Sequence, residues 1–213
     1  VALGEQFGMT SGDIVTGKIT AALKKMGFDK VFDTSFSADL TVMEEGTEFL
    51  ERFTKGEKLP QFTSCCPAWV KFAEQYYPEI LPRLSSCKSP QQMFGSLARE
   101  TLPKMLNVKP ENVFIVSIMP CTAKKFEAKR PEFTHENLAD VDAVITTQEL
   151  SRMIEASGLN FMELDPESLD LPMGFKTGAG VIFGTTGGVT EAVLRFAVEK
   201  VTGEKLNNVD FHQ

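Results

Sequence analysis

An α/β fold is what this sequence predicts, and three observations carry the prediction. Short apolar runs of strand character alternate with stretches of helical period. The longest run, Val113-Phe114-Ile115-Val116-Ser117-Ile118-Met119, has the unbroken hydrophobicity of a strand covered on both faces. Finally, 213 residues with 42% hydrophobic and 24% charged side chains can bury one large core or two small ones. Asn107 to Asn112 makes the best boundary, giving a first lobe over 1–108 and a second over 109–213. Each lobe is expected to be a small, mostly parallel sheet flanked by helices, with a metal site between the lobes.

The elements follow in order. Thr10 and Asp13 suit a capping box, Val15, Ile19, Leu23 and Met26 recur at helical spacing, and Gly27 stops that helix. Val31-Phe32-Asp33 reads as a short strand. A helix over about 38–54 carries Leu40, Met43, Leu50 and Phe53 on a broad apolar arc, with Glu44, Glu45, Glu48 and Glu51 on a face that periodicity makes solvated. Gln61-Phe62-Thr63 reads as a strand end, and Pro67 suits the first position of the next helix. A long helix over about 89–106 precedes the Val113–Met119 strand. Val144-Ile145 and Val181-Ile182-Phe183 are further strands, followed by helices near 149–156 and 189–201. Residues 160–176, with Pro166 and Pro172, form a long connection.

Chemistry concentrates in the cysteines. There are four, two of them adjacent in Thr63-Ser64-Cys65-Cys66-Pro67-Ala68-Trp69 and one in Met119-Pro120-Cys121-Thr122-Ala123-Lys124-Lys125-Phe126-Glu127. Both motifs lie just past predicted strand ends, where ligand sites of α/β proteins gather. Thiolates are nucleophiles, redox groups and soft metal ligands. Neighbouring side chains diverge, so Cys65 and Cys66 are expected to do different jobs. Cys66 and Cys121 are candidate ligands of a soft metal or an iron-sulfur cluster, although an all-cysteine site needs four. Cys87, before a helix, reads as a small buried filler.

The remaining signals are weaker. A formal charge of -7 and a pI near 5.0 disfavour nucleic acid. The basic stretch Lys124, Lys125, Lys129, Arg130 reads as a solvated helix face. No apolar run approaches the ~20 residues that cross a bilayer as a helix. Irregularly spaced cysteines point to a reducing compartment, with cytoplasm the default. Gly178-Ala179-Gly180 precedes a predicted strand and fails as a dinucleotide fingerprint, and Gly184-Thr185-Thr186-Gly187-Gly188 reads as a tight turn. His135 and His212 read as surface histidines, and nothing suggests a cysteine protease.

At the two cysteine motifs the chain resembles the catalytic domain of the iron-only (FeFe) hydrogenases. The likeness extends through Phe32-Asp33-Thr34, Ala38-Asp39-Leu40-Thr41-Val42-Met43-Glu44-Glu45, Lys88-Ser89-Pro90-Gln91-Gln92 and Phe183-Gly184-Thr185-Thr186-Gly187-Gly188, nearly end to end. The resemblance implies reversible reduction of protons to H2 at a 4Fe-4S cubane joined to a two-iron subsite with CO, cyanide and azadithiolate ligands. It implies that Cys66 and Cys121 are cubane ligands and that Cys65 hands protons to the bridge amine. Glu45, Ser85 and Glu48 would continue the proton route outward, in that order. Lys124 would lie against a cyanide, and Pro90, Gln91, Met119 and Phe183 would line the pocket. A buried Glu45 would override the solvated reading of its helix face.

The family's third signature, a Cys-x-x-x-Cys run, is expected downstream of Gln213, because no cysteine follows Cys121. The resemblance therefore implies that this chain alone lacks a full ligand set, the rest being a C-terminal segment or second chain. Expected partners are H2, protons, and a ferredoxin-like carrier or upstream iron-sulfur domains. Competing readings are a non-catalytic relative, either a hydrogen sensor or an iron-sulfur assembly scaffold, and an inactive apo fragment. Cys65, Lys124 and Glu45 together favour the enzyme, since a scaffold needs ligands but no proton donor.

Overall fold

The computed structural model describes residues 2–204. Along the chain run helices α1 (Ala2–Gln6), α2 (Thr16–Lys25), α3 (Ser35–Lys55), α4 (Pro67–Tyr76) and α5 (Pro90–Leu106). Strand β1 (Val116–Met119), helix α6 (Ala123–Glu127) and strands β2 (Thr134–His135), β3 (Leu138–Ala139) and β4 (Ala143–Thr146) follow. Helices α7 (Thr147–Ala156), α8 (Gly178–Ile182) and α9 (Gly188–Thr202) complete the described chain. None of these helices is long and apolar enough to cross a membrane.

Local chemistry fixes many element ends. Ser89 caps α5 by accepting from the Gln92 N–H, Pro90 occupies its first turn, and Asn107 ends it in the left-handed region at φ 53°. Thr146 and Glu149 form a reciprocal capping box at α7. Gly56, at φ 67°, closes α3 with its N–H on the carbonyls of Arg52 and Phe53.

The chain forms two compact units, each drawn from two stretches. The first joins the chain up to Asp33 with Glu111–Phe175, and the second joins Thr34–Pro110 with the chain from Lys176 on. The lobes expected from the sequence, 1–108 and 109–213, are each one continuous stretch, whereas the units change over at Asp33/Thr34, Pro110/Glu111 and Phe175/Lys176. In the first unit, Leu3, Val15, Ala22 and Leu23 share a core with Leu150, Ile154 and Phe161. There β1 and β4 pair in parallel, with Val116 opposite Ala143 and Met119 opposite Thr146, and β2 pairs antiparallel with β3.

The second unit is built on α3, which packs against α5, α8 and α9. Small residues make that approach possible: a Cβ on Gly46 would lie 2.4 Å from the Phe196 ring. The buried face of α3 is accordingly Ala38, Thr41, Val42, Glu45 and Gly46, while Met43 and Phe53 of the expected apolar arc are exposed. Close helix packing selects for size here, over hydrophobicity.

The α/β class holds, mostly helical, but several expected strands do not form. In the second unit the described residues contain a single isolated parallel bridge, Phe62 to Leu84, in place of a sheet. Val31 is held by the loop after α7: its N–H donates to Asp170 Oδ2 at 2.9 Å and its carbonyl accepts from the Asp170 N–H at 2.9 Å. Val181-Ile182 lie in α8, not a strand. The Asp39 carboxylate accepts from the Thr177 N–H at 2.6 Å, the Thr177 hydroxyl at 2.7 Å and the Gly180 N–H at 2.7 Å, and so gathers the free donors of a helix start.

Candidate functional site

The richest polar cluster lies in the second unit and begins with spacing. Glu45 and Glu48 are three apart on α3, so they share a face. The Phe62–Leu84 bridge brings residues 83–87 beside the strand-like stretch before Cys65. The Phe62 N–H donates to the Arg83 carbonyl at 2.9 Å, the Ser85 N–H to the Phe62 carbonyl at 2.7 Å, and the Ser64 hydroxyl to the Cys87 carbonyl at 3.1 Å. Ser85, only 6% exposed, is thereby delivered to the two glutamates.

Their environments drive the two carboxyls apart. Glu45 is 1% exposed, and burial pushes it from 4.5 to about 7; the Ser85 hydroxyl and Arg52 pull downward, and the Glu48 charge adds to the rise. Its Oε1 has no hydrogen-bond partner among the described residues, nor has Oε1 of Gln61, whose Nε2 donates to the Glu45 carbonyl at 3.4 Å. At Glu48 burial also pushes upward, but donors outweigh it and hold the carboxyl below its ordinary value. They are Ser85 Oγ at 2.7 Å, Ser86 Oγ at 2.9 Å, the Ser86 N–H at 3.0 Å and Arg52 at 2.6 Å. The helix face read as solvated from periodicity is solvated only at Glu44 and Glu51. Below about pH 7 a protonated inner acid thus faces an ionised outer one, with a hydroxyl against both.

All four cysteines are free thiols. Cys66 is exposed at the N-cap of α4, its carbonyl accepting from the Val70 N–H, while Cys65 is half-buried. Also in this unit, Pro90 opens α5, Gln91 is buried beside it, and Phe183 follows α8 half-buried. Gln92 is fully buried, with no partner for its side-chain amide among the described residues.

The second motif belongs to the first unit. Met119 is the last residue of β1, and Cys121 lies half-buried just beyond it. The Lys124 ammonium bonds both oxygens of Glu127, at 3.0 and 3.2 Å, with both side chains largely buried. Lys125 reaches Glu149 at 2.5 Å, and this bond, with the Thr146 N–H, holds the Glu149 carboxyl down at about 2. Arg130 pairs with Glu132 and lies over the Phe126 ring. The basic stretch is therefore not a solvated face: Lys129 is its one exposed cation.

His135 is exposed, and His212 lies outside the described residues. No group of three or more His, Cys, Asp or Glu among the described residues gathers as a metal site. Cys66 and Cys121 are nonetheless soft thiol donors of the kind iron-sulfur clusters take. Sequence reasoning missed Arg52, Ser86, Cys87 and Glu127. The i,i+4 spacing of Glu48 to Arg52 and the i,i+3 spacing of Lys124 to Glu127 were the available signals.

Comparison with known proteins fits this inventory. The family model described as iron only hydrogenase large subunit, C-terminal domain, matches residues 1–213. The periplasmic Fe hydrogenase large subunit of Nitratidesulfovibrio vulgaris is 52% identical over 212 residues, covering 99% of this chain and 50% of that protein. The solved structure of an apo FeFe-hydrogenase from Chlamydomonas reinhardtii matches with a TM-score of 0.88 at 44% identity, covering 100% of this chain and 54% of that one. The cytosolic Fe-S cluster assembly factor narfl of Xenopus tropicalis is 39% identical over 202 residues, covering 90% of this chain and 42% of that protein. The chain spans about half the length of these relatives. By name one relative is periplasmic and another cytosolic.

Proposed function

We propose, from the premise that this chain belongs to the family of iron-only hydrogenase large subunits, C-terminal domain, that it forms part of a catalytic domain interconverting protons and electrons with H2. The observation that carries the reading is the Glu45–Ser85–Glu48 cluster, a neutral buried acid and an ionised acid sharing one hydroxyl. Adjacent acids of opposite protonation joined by a hydroxyl can pass a proton without moving the backbone.

Each residue then has a role. Cys66 and Cys121 would hold the cubane as thiolates. When bound, the 4Fe-4S cubane with its two-iron, CO-, cyanide- and azadithiolate-bearing subsite supplies electron storage and the metal at which protons and electrons combine. Cys65 would donate and recover the proton at the inner end, Glu45 would reload it, and Ser85 would relay to Glu48. Lys124, already in a buried charge pair with Glu127, would offer a further N–H to an anionic ligand. Pro90, Gln91, Met119 and Phe183 would exclude water. Electrons would come from a ferredoxin-like carrier or iron-sulfur domains. A reducing, cytoplasmic setting fits four free thiols.

The competing reading is an iron-sulfur assembly factor like the Xenopus relative, or a hydrogen sensor. The two-acid relay weighs against both, because cluster holding alone has no use for a proton route. Anaerobic H2 evolution by the matured full-length protein decides the matter. Glu45→Gln, Ser85→Ala and Glu48→Gln should each lower turnover ~100- to ~10,000-fold with the cluster's infrared bands unchanged. A loaded, stable protein without H2 turnover would overturn the proposal in favour of the scaffold.

A further inference from the structure

The outer carboxylate touches a thiol that the proposed proton route leaves unused. Glu48 Oε1 takes Arg52 at 2.6 Å and the Ser86 hydroxyl at 2.9 Å. Oε2 takes the Ser85 hydroxyl at 2.7 Å and the Ser86 N–H at 3.0 Å, and Cys87 Sγ lies 3.7 Å from the same oxygen. Cys87 also donates its N–H to Ser85 Oγ at 3.2 Å. That bond occupies a lone pair of the serine oxygen, so the hydroxyl hydrogen is left to point at Glu48. The Ser64 hydroxyl on the Cys87 carbonyl fixes the peptide that makes these contacts. Burial pushes the thiol up to about 11, with the Ser85 hydroxyl pulling downward and the Glu48 carboxylate adding to the rise, so it keeps its proton at neutral pH and acts as a donor.

We propose that Cys87 is a positioning residue at the outer end of the proton route: its thiol and N–H hold Glu48 Oε2 against the Ser85 hydroxyl and favour the ionised form of Glu48. The inference rests on the proton-route reading given above. The charged and titratable groups facing Glu48 are Glu45 and Arg52 from its own helix and Cys87 from the 85–87 loop; the rest are hydroxyls and an N–H. A thiol at this distance is a weak donor, and its loss raises the proton affinity of Glu48 by a small, measurable amount.

The test titrates Glu48 in the full-length apoprotein by carboxyl infrared difference spectroscopy, with Glu48→Gln assigning the band. Cys87→Val fills the volume without a donor, Cys87→Ala serves if valine prevents folding, and Cys87→Ser keeps a donor. Valine or alanine should raise the Glu48 midpoint by ~0.5 pH unit, and serine by less than half as much. In the holoenzyme the acid limb of the kcat profile should move by the same amount with KM for the electron donor unchanged. An unmoved midpoint with valine, or equal shifts with valine and serine, overturns the proposal. A moved midpoint with an unmoved acid limb upholds the hold of Cys87 on Glu48 and refutes the proton-route reading instead.

Discussion

Replacing Glu45 with glutamine should change how stability depends on pH, and the structure sets the size of the change. Glu45 is 1% exposed, and burial raises its carboxyl from 4.5 to about 7. The folded protein therefore binds this proton more tightly than the unfolded chain does. The contribution is complete below pH 4.5 and is lost as pH rises through about 7, because above that point a buried charge must be kept. The interval is worth ~3 kcal/mol at 1.36 kcal/mol per pH unit. A glutamine side chain has no charge to bury, so the stability of Glu45→Gln minus that of the parent should grow by ~2.5 kcal/mol between pH 5 and pH 8. Glu48, shifted the other way, loses its contribution on acidification in both proteins and largely cancels from the difference. Urea denaturation of the full-length apoprotein and its variant at the two pH values measures this directly. A difference that stays constant, or shrinks towards pH 8, would show that Glu45 is ionised on folding and refute the neutral-acid reading.

Five other substitutions test separate parts of the argument. Cys65→Ala should retain the cluster spectrum while turnover falls ~100- to ~10,000-fold, Cys65→Asp should keep more activity, and Cys66→Ala should lose the cluster; infrared spectra with iron analysis separate these outcomes. Glu127→Gln removes the carboxylate charge facing the largely buried Lys124 ammonium and should cost about 3 kcal/mol in denaturant titration, whereas a loss below ~1 kcal/mol would make the pair a surface contact. Gly46→Ala puts a Cβ 2.4 Å from the Phe196 ring, and thermal unfolding should report ~1–3 kcal/mol of overpacking unless that ring can swing away.

The sequence reveals most where the signal is local. Caps and periodicity place α5, α7 and α9 within a few residues, because Ser89, Pro90, Thr146 and Glu149 act through neighbours in the chain, whereas the box expected at Thr10 and Asp13 closes a turn ahead of α2, which starts at Thr16 without a side-chain cap. The 181–183 strand fails for the opposite reason: the α8 start is organised by Asp39, far away in sequence, which no window around Val181 contains. Periodicity likewise misjudges α3. Its buried face carries Thr41, Glu45 and Gly46, a choice made by helices that arrive later in the chain. Family resemblance points to Glu45, Ser85 and Glu48 where hydropathy cannot, since a buried carboxyl contradicts the rule that hydropathy applies. Cys87 escapes both, because a filler thiol and a donor thiol have the same sequence.

The interleaving of the two units bears on how the protein is made. Leu3, Val15 and Ala22 complete their core only with Leu150, Ile154 and Phe161. At ~5–20 residues per second on the ribosome, on the order of 130 further residues separate Asp33 from Phe161, a wait of ~6–26 s with the apolar face of α2 uncovered. The second unit waits longer, for α3 cannot bury Gly46 until Phe196 of α9 has emerged. Both units are thus committed late in synthesis, and until then the nascent chain carries uncovered apolar surface.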